Sequence, residues 1–344
     1  MKTDVQEQII QPGSKIDESS ISQKPEIAHI SDDAKRTSFL KKAIAFLVIA
    51  VIFFFLGKSL YRNLGDLSSH QWSIRPLFLI LSFFPLLASL ILSAFAWERI
   101  LSLFGTRLPL DQSFKIMSLS GLSKYLPGKI WLYLSQIYLS QKVNIPKSVC
   151  LFSLLLLFSA YNLAGMVVFI SSLFLWGKFS PWVISFFLLL CGSLFLIIFS
   201  PRIFNGALKV LTFFTKKFKN GLIPEQLTFS SGTSRILQII LILLVDWIIF
   251  GIAVYCLVNS FYHIDFSQTV ILCGIFAISS IAGITSFFVP AGLGVREGIL
   301  SYLLSMFIPI SVAILISLVM RVWMTVGELI CFFAALKIKK PEIW

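Results

Sequence analysis

Residues 148–177 read SVCLFSLLLLFSAYNLAGMVVFISSLFLWG, a run of 30 positions without one charged side chain. Coiled as an α-helix at 1.5 Å per residue it would be about 45 Å long, longer than the ~30 Å hydrocarbon core of a bilayer. A membrane strand would instead show about ten residues of alternating apolar and polar character. No such alternation occurs here. In lipid no water is available to the backbone, so a run of this kind must satisfy its own N–H and C=O groups as a helix.

The rest of the chain has the same character. Of 344 residues 57% are hydrophobic and 13% charged, about half the charged share of an average soluble domain. That is too few polar groups to clothe a water-soluble surface. The net charge of +13 does not indicate nucleic acid, because the basic residues lie in loops between apolar runs, with no basic patch of interleaved stacking aromatics. The five cysteines (Cys150, Cys191, Cys256, Cys273, Cys331) stand singly in apolar stretches, without the spacing of a metal site or disulfide framework. His29, His70 and His263 form no ligand cluster. We expect no metal and no cofactor.

Counting uncharged runs organises the chain. Residues 1–38 hold five Lys/Arg and seven Asp/Glu with no apolar core, which predicts a disordered cytoplasmic leader rather than a signal peptide. Membrane spans are expected at 43–60, 76–97, 148–177, 179–201, 236–262 and within 266–295. The 39 residues from 298 to 336 are nearly two hydrocarbon thicknesses of helix, and Pro309 divides them into a short seventh and a long eighth segment. The domain organisation is then a leader (1–38), an all-α polytopic membrane domain of about eight segments (39–337) and a short basic tail (338–344). With the N-terminus inside, 21 loop Lys/Arg fall on the inner side and 4 on the outer. This asymmetry predicts both termini in the cytoplasm of a cell with an inner (plasma) membrane.

Two segments break the pattern. Residues 123–131 read Ser-Lys-Tyr-Leu-Pro-Gly-Lys-Ile-Trp; Pro127 lacks an N–H and Gly128 is permissive, so a helix must stop there. Beyond it Ile130, Tyr133, Leu134 and Ile137 recur at helical spacing, with Gln136, Ser140 and Gln141 elsewhere, as in a helix lying at or dipping into the inner interface. Residues 288–298 read Phe-Val-Pro-Ala-Gly-Leu-Gly-Val-Arg-Glu-Gly, where Pro290, Gly292, Gly294 and Gly298 oppose a regular helix. Unwound backbone at membrane depth survives only beside protein or a wet cavity, and broken helices are how transporters often build substrate sites. An interfacial turn with a snorkelling Arg296 is the simpler alternative. Asp246 and Arg321 each fall about 15 Å into their spans, and charges at that depth face protein or a cavity. Glu328 follows Arg321 by two helical turns on one face. The expected counter-charge to Arg321 is therefore Asp246 or Glu328, in a pair that either holds helices together or serves a substrate.

Pro-Ala-Gly-Leu-Gly-Val-Arg-Glu-Gly (290–298) resembles the signature of the lysylphosphatidylglycerol synthase transmembrane family, also called flippase-like or uncharacterised family 0104. Lys-Tyr-Leu-Pro-Gly-Lys-Ile-Trp (124–131) resembles the other family signature, and Arg321 sits where members often carry an arginine. The resemblance covers roughly 43–336. Many relatives read Pro-x-Arg-x-Gly-Glu at the first motif, where this chain has Pro127-Gly128-Lys129. The resemblance implies movement of polar-headgroup lipids between leaflets. In two-part members a soluble C-terminal domain transfers an aminoacyl group from tRNA to phosphatidylglycerol; the short tail here leads us to expect a stand-alone member without it.

The leading expectation is thus a non-enzymatic translocase of a polar-headgroup lipid or lipid-linked intermediate. Its candidate substrate-binding residues are Lys124, Pro127, Gly128, Lys129, Asp246, Pro290, Gly292, Gly294, Arg296, Glu297, Arg321 and Glu328. Its partners would be anionic membrane lipids and envelope glycosyltransferases, with no nucleic acid. The alternatives are a membrane-embedded headgroup transferase using Glu98, Asp246 or Glu297 as base, and a non-catalytic scaffold for envelope glycolipid assembly. No Walker-type loop is present, so ATP is not the expected energy source.

Overall fold

The computed structural model describes residues 74–125, 130–199, 233–286 and 292–338. The expected leader, the first span, most of the 202–235 loop, the last residues of the tail and the centres of both breaks lie outside the described residues. Those described form α-helices: α1 (Pro76–Leu103), α2 (Leu110–Gly121), α3 (Ile130–Gln141), α4 (Lys147–Trp176), α5 (Pro181–Phe199), α6 (Thr233–Asn259), α7 (Thr269–Thr285), α8 (Val295–Leu304) and α9 (Ile310–Leu336). Short 3₁₀ turns follow α2 and precede α7. Among the described residues five helices are long and apolar enough to cross a membrane: α1, α4, α6, α7 with its leading turn, and α9. The chain is an all-helical, multi-pass membrane protein.

Proline sets several helix starts. Pro109, Pro146 and Pro309 each occupy the N-cap in extended conformation, with φ of −60°, −58° and −52°. The ring presets φ and ends whatever precedes it. Gly177, in the left-handed region at φ 65°, closes α4 by donating its N–H to Leu173 O at 3.1 Å, the usual glycine stop. The run quoted first therefore ends where its glycine does.

Helix directions follow from side-chain contacts. α1 and α6 are antiparallel, joined at one end by Arg75 N–H to Ser260 O (2.9 Å) and near their middles by Ser89 to Asp246. α9 lies parallel to α1, with Trp323 Nε1 donating to Ser82 Oγ at 2.8 Å and Gly327 against Leu86. α4, α6 and α7 meet around Trp247, which is fully buried and donates Nε1–H to Tyr161 O at 3.2 Å. Gly165 makes room for it: a Cβ there would fall 2.8 Å from the indole. Small residues at crossings let apolar helices approach closely where lipid supplies no hydrophobic drive.

The exposed faces are apolar, as lipid requires. Trp182 and Leu189 of α5 are 86% and 77% exposed. α3 corrects the sequence reading in detail. Ile130, Trp131, Leu134 and Tyr138 point outward, while Gln136 and Ser140 are buried against the protein; Ser140 Oγ receives Cys150 Sγ–H at 3.3 Å. The apolar stripe is divided: Tyr133 and Ile137 pack on the buried cluster of Trp97, Leu101 and Val149, while Ile130 and Leu134 face outward, where the natural partner is lipid.

Candidate functional site: two chain reversals meeting on α9

The second break is a chain reversal between α7 and α8. At its near end Gly292 has φ 66°, and a Cβ there would lie 2.6 Å from Gly283 O and 2.7 Å from Gly283 Cα. Backbone thus packs on backbone, which only glycine permits. Gly294, at φ 83°, is the N-cap of α8. The helix resumes at Val295, so Gly298 lies inside it, one turn deeper than the sequence reading allowed. The reason is Glu297: its Oε2 accepts the Gly294 N–H at 2.6 Å, capping the first turn where a carboxylate also suits the helix dipole.

The other oxygen of Glu297 takes Arg321 Nη1 at 3.3 Å. Glu297 is buried, 2% exposed, and Arg321 partly so. The carboxylate on Arg321 is therefore Glu297, neither Asp246 nor Glu328. The neighbouring Arg296 points elsewhere. Its Nη2 lies 2.7 Å from Met324 Sδ and its Cζ stands 4.8 Å from the centre of the Phe276 ring. Among the described residues it makes no ion pair, although Glu297, Arg321 and Glu328 all lie within electrostatic reach.

The first break approaches α9 from its other end. Lys115 Nζ donates to Ile338 O at 2.6 Å, beyond the last turn of α9, and α2 with its 3₁₀ turn then climbs to place Lys124 and Tyr125 beside Glu328 and Thr325. Lys124 pairs with Glu328 Oε1. Tyr125 donates its hydroxyl to Glu328 Oε2 at 3.1 Å and lies 3.0 Å from Thr325 Oγ1. Arg321 Cζ stands 5.4 Å from the Tyr125 ring. α8 comes from the opposite direction, since Phe307 beyond its C-terminus packs with Leu272 and Trp176 at the Arg75 end. The ends of two chain reversals, one from each side, thus converge on residues 321–328 of α9. Lys124, Arg296 and Arg321 against Glu297 and Glu328 leave this cluster one positive charge in excess.

Of the expected site residues, Lys124, Gly292, Gly294, Arg296, Glu297, Arg321 and Glu328 are brought together; Pro127, Gly128, Lys129 and Pro290 lie outside the described residues. Asp246 stands apart on α6, where Ser89 and Ser93 of α1 donate to its two oxygens at 2.5 and 2.9 Å. Glu98 lies 3.8 Å from Arg99 near the end of α1, so the three carboxylates considered as bases share no site. Sequence reasoning missed Tyr125, Thr325, Met324 and Phe276. Tyr125 was within the quoted motif, and Met324 and Thr325 follow Arg321 at the helical spacing of three and four; nothing local marked Phe276.

Charged side chains thus meet in the interior of a bundle whose outer faces are apolar, and the class this defines is that of polytopic helical membrane proteins. The particular family is given by comparison. The profile of the lysylphosphatidylglycerol synthase TM region matches residues 42–330, and the chain belongs to this family. No curated protein matches the chain.

Proposed function

We propose that the protein translocates a lipid with an anionic polar headgroup, or a lipid-linked intermediate, between the leaflets of the inner membrane, and that the convergence on α9 is its headgroup site. The observation that carries this reading is Arg296: a guanidinium inside the bundle, resting on a thioether and an aromatic face, with no carboxylate paired to it among the described residues. An isolated charge at such depth is costly and is retained where it meets a ligand or ion pathway. A phosphate would supply the missing partner through two parallel hydrogen bonds. Family membership supports a lipid-related role.

In this reading the chain crosses eight times with both termini cytoplasmic. α8, ten residues or about 15 Å long, is the short seventh crossing, completed by residues 305–309 before α9 begins.

The test uses purified protein in phosphatidylethanolamine–phosphatidylglycerol vesicles carrying a fluorescent phosphatidylglycerol, with an impermeant quencher outside. The wild type should bring label to the outer leaflet faster than empty vesicles do, and Arg296→Gln should lose that excess while remaining folded. Equal rates for wild type and empty vesicles would sink the reading for this lipid class, and full activity of Arg296→Gln would sink the site.

A further inference from the structure

Asp246 has no part in the convergence on α9, yet it is the most deeply placed carboxylate of the long helices, 1% exposed and midway along α6. Among the described residues no cation faces it. α1 presents only hydroxyls, Ser89 and Ser93, four residues apart on one face and each bonded to one carboxylate oxygen. α4 contributes Tyr161, whose phenol is within electrostatic reach of both Asp246 and Arg296. α7 contributes Cys273, whose thiol is spent on Trp247 O at 3.0 Å. Among the described residues no other titratable group is seen to face Asp246 from these helices.

Two opposing effects act on such a group. An ionised carboxylate without a cation in a low-dielectric interior tends to neutralise. Two hydroxyl donors, one per oxygen, favour the ionised form. We propose that Asp246, Ser89 and Ser93 form a proton-binding site that couples lipid movement to the transmembrane proton gradient. The site takes a proton because it offers one carboxylate and two hydroxyls, too few oxygens for the six or so a hard metal cation prefers.

The geometry also supplies the link between proton and lipid. An ionised Asp246 accepts from both serines. Once protonated, one of its oxygens becomes a donor and one serine must turn to accept. Each state therefore demands its own arrangement of hydroxyls across the α1–α6 contact. α1 also carries Ser82 and Leu86, which hold α9 through Trp323 and Gly327, so a shift of α1 reaches the helix that bears Arg321 and Glu328. From the other side Tyr161 lies within electrostatic reach of both Asp246 and Arg296.

The inference rests on the translocase reading, and the experiment separates the two. Full-length protein is reconstituted as above and the initial rate measured with the lumen acidic, alkaline or matched to the outside, each with and without a sodium gradient. Independently, the infrared band of a protonated carboxylic acid is titrated with pH in detergent. The wild type should change rate severalfold with the sign of the pH gradient and show a titrating acid band. Asp246→Asn should lack that band and give one rate under all three gradients. Asp246→Glu should restore a gradient response, and Ser93→Ala should shift the midpoint of the band; these two keep the test open if the Asn variant fails to fold. A wild-type rate indifferent to pH, a response to sodium alone, or a gradient response that survives Asp246→Asn would overturn the coupling. Loss of all translocation in the wild type, with the Asp246 band still titrating, would fail the translocase reading and leave the proton site standing.

Discussion

Arg321 on α9 and Arg296 on α8 carry the same charge within electrostatic reach of each other, yet their surroundings separate them. Arg321 is held by Glu297 at 3.3 Å and stands over Tyr125, whereas Arg296 rests on Met324 and Phe276. A headgroup phosphate arriving at Arg296 would meet Arg321 as its second cation, drawing it from Glu297. Arg321→Lys retains the charge and a bond to Glu297 but gives up the planar fork. Losing one charge-assisted hydrogen bond is worth about 1.5–3 kcal/mol, so translocation should slow about tenfold or more, and Arg321→Ala should insert and fold yet fail to translocate. Wild-type rates for Arg321→Ala in the vesicle assay would show that Arg321 only ties helices together.

At the scale of elements, the α7–α8 reversal depends on a backbone-to-backbone contact. Gly292 sits in the left-handed region, where a side chain costs about 1–2 kcal/mol, and its Cβ would press on the Gly283 carbonyl at 2.6 Å. Gly292→Ala should therefore lower the melting temperature in detergent and abolish translocation while membrane insertion is unchanged; Gly294→Ala, strained only by its φ of 83°, should do less. Gly298 offers the control. It lies inside α8 with nothing within 4 Å of its Cβ position, and alanine there should favour the helix by up to about 1 kcal/mol. Should Gly292→Ala and Gly298→Ala melt and translocate alike, the close packing of the reversal has no functional weight.

For the whole molecule, the expected orientation rests on 21 Lys/Arg counted on the inner side against 4 on the outer; the structure draws Lys124 and Arg296 of these into the bundle, and the bias of the rest predicts cytoplasmic termini because basic loops resist translocation. The helix directions agree with an even number of crossings after α1, since α1 and α9 run parallel and Lys115 meets Ile338 at their shared end. A cysteine placed at Lys216, in a variant without native cysteines, should resist impermeant thiol reagents in intact cells and react once the membrane is opened. Labelling in intact cells would invert the protein.

Much of this was legible in residues alone. Uncharged runs of bilayer length require helices wherever water is absent, and Pro309 and Gly177 mark helix ends whatever surrounds them, because ring and missing Cβ act locally. That Arg321 and Glu328 share a face follows from helical period. Partner choice did not follow. Glu297 rather than Asp246 holds Arg321, and Lys124 rather than Arg321 holds Glu328, because these bonds join residues 24 and 204 positions apart and no local rule brings those turns together. The same holds for Asp246, which a sequence marks only as a charge in a span. Its assignment to two serines of α1 instead of an arginine was decided by how α1 and α6 cross, a geometry that exists only once the helices have packed.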